Sequence, residues 1–93
     1  DMIYIIFMNI NDLIAIVKNK LHDKIIIEKI SIEDKSFLHK NHAGHQKGKF
    51  HLKLTINSLE LKKLNKIEGN KKVYKVLDKE LKDHIHSLQI LIS

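Results

Sequence analysis

From Phe50 to Asn57 the side chains alternate without a break: Phe50, Leu52, Leu54 and Ile56 are apolar, while His51, Lys53, Thr55 and Asn57 are polar. A period of two marks a strand with one face on a core and the other toward solvent, because successive Cβ atoms point to opposite sides of the pleat. A helix cannot gather four apolar residues at that spacing onto one side. The chain therefore contains a sheet, and other elements must cover its apolar face.

The rest of the sequence supplies those elements. Ile10, Leu13, Ile14, Val17 and Leu21 follow the helical one-face period, with Asn11 placed as an N-cap. The β-branched run Ile25, Ile26, Ile27, followed by Ile30 and Ile32, predicts a first strand. Residues 33–48 have no sustained period and read as a long exposed connection. Beyond the alternating strand, Asn57 and Glu60 form a capping-box pattern for a short helix around Leu59, Leu61 and Leu64, which Gly69 ends. Asn70 then caps a helix with Val73, Tyr74, Leu77 and Leu81 on its apolar stripe and Lys75, Asp78, Glu80 and Lys82 in solvent. Residues 85–92 close the chain as a strand. The order α-β-β-α-α-β predicts an α+β fold with a three-stranded mixed sheet covered on one face by helices. The first two strands are antiparallel, and the last, after a helical crossover, runs parallel to the second.

Ninety-three residues suffice for one modest core and not for two. Residues 1–8 are read as an N-terminal extension outside the fold and residues 9–93 as the single domain. The apolar start is far shorter than the roughly 20 residues a membrane helix needs, and it lacks the basic and small-residue features of a signal peptide. No membrane association is expected. The charge of +6 comes from 17 lysines and no arginine, beside 16 isoleucines and 7 asparagines. That skew follows AT-rich coding, which raises lysine content without selection for phosphate binding. The absence of arginine also removes bidentate reading of guanine.

Histidine is the chemically loaded residue. Six of the seven lie in two places, His39, His42, His45 and His51 in the first and His84 with His86 in the second. Imidazole is the commonest metal ligand and titrates near neutrality. With no cysteine in the chain, disulfides, thiol nucleophiles and all-cysteine metal sites are excluded. No nucleophile motif, HExxH, phosphate loop or dinucleotide fingerprint is present, so an enzyme is not expected. On the last strand His86 shares the parity of Leu88, Ile90 and Ile92, which places it at the end of the apolar face. There a histidine satisfied by a backbone carbonyl competes with a ligand role. His51 lies on the polar parity of its strand, where cross-strand packing is an equal alternative. His84 and His22, at helix ends, suit the carbonyl dipole.

The stretch His42-Ala43-Gly44-His45, His51-Leu52 opening the alternating strand, Val73-Tyr74, and Ile85-His86-Ser87-Leu88 together resemble the BolA-like family. The resemblance covers residues 10–92. Two positions depart from it: Gly69-Asn70 stand where the family usually has an Arg-His pair, and Leu61-Lys62-Lys63 where it has Phe-x-Gly. The resemblance implies a class II KH-like fold and an adaptor that binds a monothiol glutaredoxin with its glutathione. The two would share a 2Fe-2S cluster and assist iron-sulfur cluster maturation or trafficking and iron or redox regulation. It also implies that His86 and a loop histidine ligate the cluster. His45 and His42 fit the loop position, and His39 and His51 are secondary candidates. Thiolates would come from the partner, and no cofactor would be tightly bound by the chain alone.

Histidine ligation of iron raises a cluster's reduction potential relative to all-thiolate ligation. A second expectation is a nucleic-acid-binding, transcription-regulating KH-like domain that meets phosphates through Lys71, Lys72 and Lys75. Against it, His42-Ala43-Gly44-His45 is not a GxxG clamp. A third is zinc or nickel held by the histidine-rich loop alone. The family implies a cytoplasmic location in a bacterium or the mitochondrial matrix in a eukaryote, and a free monomer or weak dimer.

Overall fold

The structure, a computed structural model, describes residues 8–36 and 49–93. Its elements run α1 (Ile10–Lys24), β1 (Lys29–Asp34), β2 (Phe50–Asn57), α2 (Leu59–Lys62), α3 (Lys66–Val76), α4 (Asp78–Asp83) and β3 (Ile85–Ile92). The sheet order is β1-β2-β3. β1 pairs antiparallel with β2 from Lys29 opposite Asn57 to Asp34 opposite Leu52. β2 pairs parallel with β3, ending at Ile56 opposite Ile92. The α+β architecture and both strand directions are those expected from the hydrophobic periods.

The apolar face of β2 supplies the centre of the core. Leu52, Leu54 and Ile56 are buried, and against them pack Leu13, Val17 and Leu21 of α1, Leu61 of α2, Val73 and Leu77 of the α3–α4 region, and Ile85 and Ile90 of β3. Met8, grouped by sequence with the extension, is partly buried against this cluster; residues 1–7 lie outside the described residues.

The element ends differ from expectation, each for a local reason. The cap of α1 is Asn9, whose side chain accepts from the Asp12 amide at 2.8 Å, and not Asn11. β1 begins at Lys29; Ile25 closes α1 with its amide on the Leu21 carbonyl, and Ile26 is 71% exposed. Ser58, not Asn57, caps α2. It is fully buried, accepts from the Leu61 amide and donates to the Ile26 carbonyl at 2.7 Å. Glu60 does not fold back on the cap; it accepts from the Ile26 amide at 3.0 Å and from Lys72. α3 is capped by Asn65 and passes straight through Gly69 and Asn70.

Gly69 is a packing position and not a helix stop. A Cβ there would lie 3.1 Å from Cδ1 of Ile92, so the missing side chain is what lets α3 approach the end of β3. Glu80, expected in solvent, is only 5% exposed because Lys20 of α1 reaches it at 2.7 Å. Burying a carboxylate is tolerable only with such a charge-assisted partner. This pair ties α4 to α1.

Leu54, fully buried at the centre of β2, and Ile67, 67% exposed on α3, provide a contrast in unfolding by urea. Leu54→Ala should lower stability by about 2–5 kcal/mol through lost burial and a residual cavity. Ile67→Ala should stay within about 0.5 kcal/mol of the parent.

Candidate metal centre

The candidate site is built where β2 and β3 begin. Their pairing is parallel and regular except at one place: Phe50 lies opposite Ile85, but His51 lies opposite Ser87. His86 is therefore an extra residue, a bulge in β3. Bulges interrupt the alternation of a strand and re-aim a side chain. Ile85 is buried, His86 is exposed, and apolar burial resumes at Leu88 and Ile90. Unbroken parity places His86 on the apolar face; the inserted residue releases it from that face and presents its imidazole to solvent.

His51 behaves in the opposite way. Although it follows the polar parity of β2, it is only 7% exposed. Its amide donates to the Ser36 hydroxyl at 3.0 Å, and its carbonyl accepts from the Lys35 amide at 2.7 Å. Its Nδ1 lies 2.6 Å from the Ser87 hydroxyl, a contact that fixes the ring against β3. The rings of His51 and His86 meet edge-on, with centroids 4.9 Å apart and planes at 61°. The bulge thus brings a solvent-facing imidazole against a buried, hydrogen-bonded one.

Both stems of the histidine-rich connection converge here. On the incoming side the Ser36 amide donates to Asp34 at 2.9 Å, and Ser36 itself holds His51. On the outgoing side the Phe50 amide donates to the His84 carbonyl at 2.8 Å, two residues before His86. His39, His42 and His45 lie outside the described residues. Among the described residues no group of three or more His, Asp or Glu side chains is gathered for a metal, so the two imidazoles are the donor set seen there. His84 forms the C-cap of α4 and His22 lies in the last turn of α1, where the sequence placed them.

The lysines of the nucleic-acid alternative lie elsewhere, on α3, along a groove toward α1 that Lys20, Lys24, Leu64 and Val76 also line. Acids accompany most of them. Lys72 is paired with Glu60 at 2.5 Å, Lys71 lies 3.8 Å from Glu68, and Lys20 is engaged with Glu80. This surface is one of mixed charge, and among the described residues Lys75 has no ion pair. Among the described residues no helix is long and apolar enough to cross a membrane.

Known proteins agree with this architecture. The family model described as BolA-like protein matches residues 21–93, and the chain belongs to that family. The solved BolA domain of SufE1 from Arabidopsis thaliana is similar to it at 26% identity and a TM-score of 0.72, covering 85% of this chain and 87% of that one. BolA1 from Arabidopsis thaliana is similar at 27% identity and a TM-score of 0.71, with the same coverage. A bol-like protein from Babesia bovis, at 14% identity, TM-score 0.66 and coverage of 84% and 79%, shares the fold. No curated protein matches the chain.

Among the polar links around this framework, the one through Glu60 favours the charged form of its carboxyl. The hydrogen bond from Lys72, followed by that from the Ile26 amide, holds its carboxyl below its ordinary value of 4.5. A carboxyl lowered on folding contributes stability that is present above its unfolded value and is lost as pH falls through the folded one. Stability of the parent should therefore decline as pH drops below about 4.5. In Glu60→Gln that decline should be shallower, measured by urea midpoints across the acid range; equal slopes for the two proteins would refute the assignment.

Proposed function

We propose that this chain is a non-enzymatic adaptor that docks a monothiol glutaredoxin and holds, jointly with it, a 2Fe-2S cluster as cargo for maturation or transfer. The observation that carries this reading is His86: an exposed imidazole at a strand bulge, beside the stems of a connection that bears three further histidines. A cargo ligand must be reachable by a partner, and a residue buried on the apolar face of the sheet would not be.

The donor chemistry fits the cargo. Neutral imidazole binds iron, and the chain has no cysteine, so the thiolates must come from glutaredoxin and its glutathione. In this reading His86 supplies one ligand and a loop histidine, His45 or His42, the second. Mixed histidine and thiolate ligation shifts the cluster's potential upward relative to thiolates alone. The chain's own contribution is positional. The bulge presents His86, while the β2–β3 pairing and the His51–Ser87 contact fix the floor beneath it. Direct binding of nucleic acid is not favoured, since Lys71 and Lys72 share their charge with Glu68 and Glu60.

The test is to mix the chain with a cluster-loaded monothiol glutaredoxin and follow visible absorption and circular dichroism. A saturable spectral change at a one-to-one ratio is expected. His86→Ala should abolish it or weaken the complex at least tenfold, and His45→Ala or His42→Ala should alter the spectrum. An unchanged spectrum on mixing, or a full response from His86→Ala, sinks the proposal. Ligation requires unprotonated imidazole, so the mixed-ligand spectrum should fade as pH falls through the histidine range.

A further inference from the structure

We propose that the outer edge of β3 at Ile90 and Ile92 is a docking site for an extended, acidic peptide segment of a partner protein, which adds to the sheet as a fourth strand. β3 closes one side of the sheet, and among the described residues no further strand pairs with it. After the bulge its main chain alternates regularly. The Ser93 amide donates to the Ile56 carbonyl at 2.9 Å, and the Ser93 carbonyl accepts from the Ser58 amide at 3.2 Å, so Ser93 turns both groups toward β2. In a parallel ladder residues two apart turn the same way, so Ile92, Ile90 and Leu88 turn theirs outward. The Leu88 carbonyl agrees, since it accepts from the Tyr74 hydroxyl at 3.1 Å. The amides and carbonyls of Ile90 and Ile92 form a template for another strand.

The two edges of the sheet are unlike. β1 carries Lys29, Glu33 and Asp34 within six residues, and such charges discourage pairing with another chain. β3 spans eight residues without a charge or a proline. Beside it a groove of about 360 Å3 runs against the α2–α3 junction, with Leu61, Leu64, Leu91 and Ile92 as its apolar lining and Lys62 and Lys66 as its basic one. Leu64 is 39% exposed and Leu91 44%. An added strand would bond through its main chain to Ile90 and Ile92 and lay apolar side chains in this groove. In such strand addition the main-chain bonds give affinity, and the pockets for alternate side chains give specificity.

The charge of the groove selects the occupant. Lys62 and Lys66 are exposed and have no ion pair among the described residues, so a segment bearing carboxylates complements them. A second copy of β3 carries no carboxylate and would leave both lysines uncompensated. Nucleic acid is a poorer match, because no aromatic ring lines the groove and the chain has no arginine on which bases could stack. The site lies at the end of β3 remote from His86 and uses no imidazole, so it does not rest on the cluster reading.

The test follows the amide NMR spectrum of the full chain as it is titrated with a blocked peptide of about seven residues that alternates valine with glutamate. Saturable binding is expected, with the Ile90 and Ile92 amides shifting and gaining protection from hydrogen exchange. Methylating the backbone nitrogens of the valines alone, or of the glutamates alone, separates the two edges of the peptide. One set should abolish binding and the other leave it intact. Lys62→Glu combined with Lys66→Glu, both exposed, should weaken binding about tenfold. The proposal is overturned by the absence of saturable binding, by binding that leaves the Ile90 and Ile92 amides unmoved, or by equal behaviour of the two methylated peptides. It falls equally if those amides are already protected in a dimer of the free chain, or if they respond to a single-stranded oligonucleotide and not to the peptide. Because neither glutaredoxin nor cluster is present, any of these results leaves the cluster proposal standing.

Discussion

β2 is the strand on which everything else is hung. It is the central strand of the sheet, with antiparallel β1 on one side and parallel β3 on the other. Three of its side chains, Leu52, Leu54 and Ile56, are sealed in the core. With one face buried, a slip of one residue would turn those side chains to solvent and bring lysine and threonine inward, so the register is firmly specified. Both neighbours therefore inherit their positions from β2. The helices do as well, since they must cover its apolar face. The polar links Lys20–Glu80 and Lys72–Glu60 then join helix to helix around that cover.

Against so rigid a reference, the extra residue in β3 has a defined effect. Ile85 and Leu88 would face opposite sides of the sheet in an unbroken strand. Here Ile85 is buried while Leu88 packs against the same cluster, and the insertion of His86 between Phe50–Ile85 and His51–Ser87 makes both possible. Core packing on either side of the bulge thus holds the irregularity in place. The imidazole is released from the sheet's alternation at no loss to the apolar face, at the end of the sheet to which the connection from β1 returns. An exposed imidazole on a stiff base is the arrangement that the proposed joint ligation with a second protein would need.

How far the sequence discloses this depends on whether the controlling contact is local. The alternation of Phe50 to Asn57, the stripe of α1 and the crossover before β3 are local patterns, and the architecture follows from them. The helix caps were placed a residue or more away because several candidates stood side by side. Asn9 and Asn11, or Asn57 and Ser58, are equivalent in composition, and tertiary hydrogen bonds chose between them: Ser58 also satisfies the Ile26 carbonyl, and Glu60 serves Lys72 and Ile26 instead of its own helix. Gly69 has the composition of a stop, yet its role is a contact with Ile92, distant in sequence. Glu80 looked solvated because its partner Lys20 is sixty positions away. The orientation of His86 is not legible in the sequence, since parity assumes that no residue is inserted.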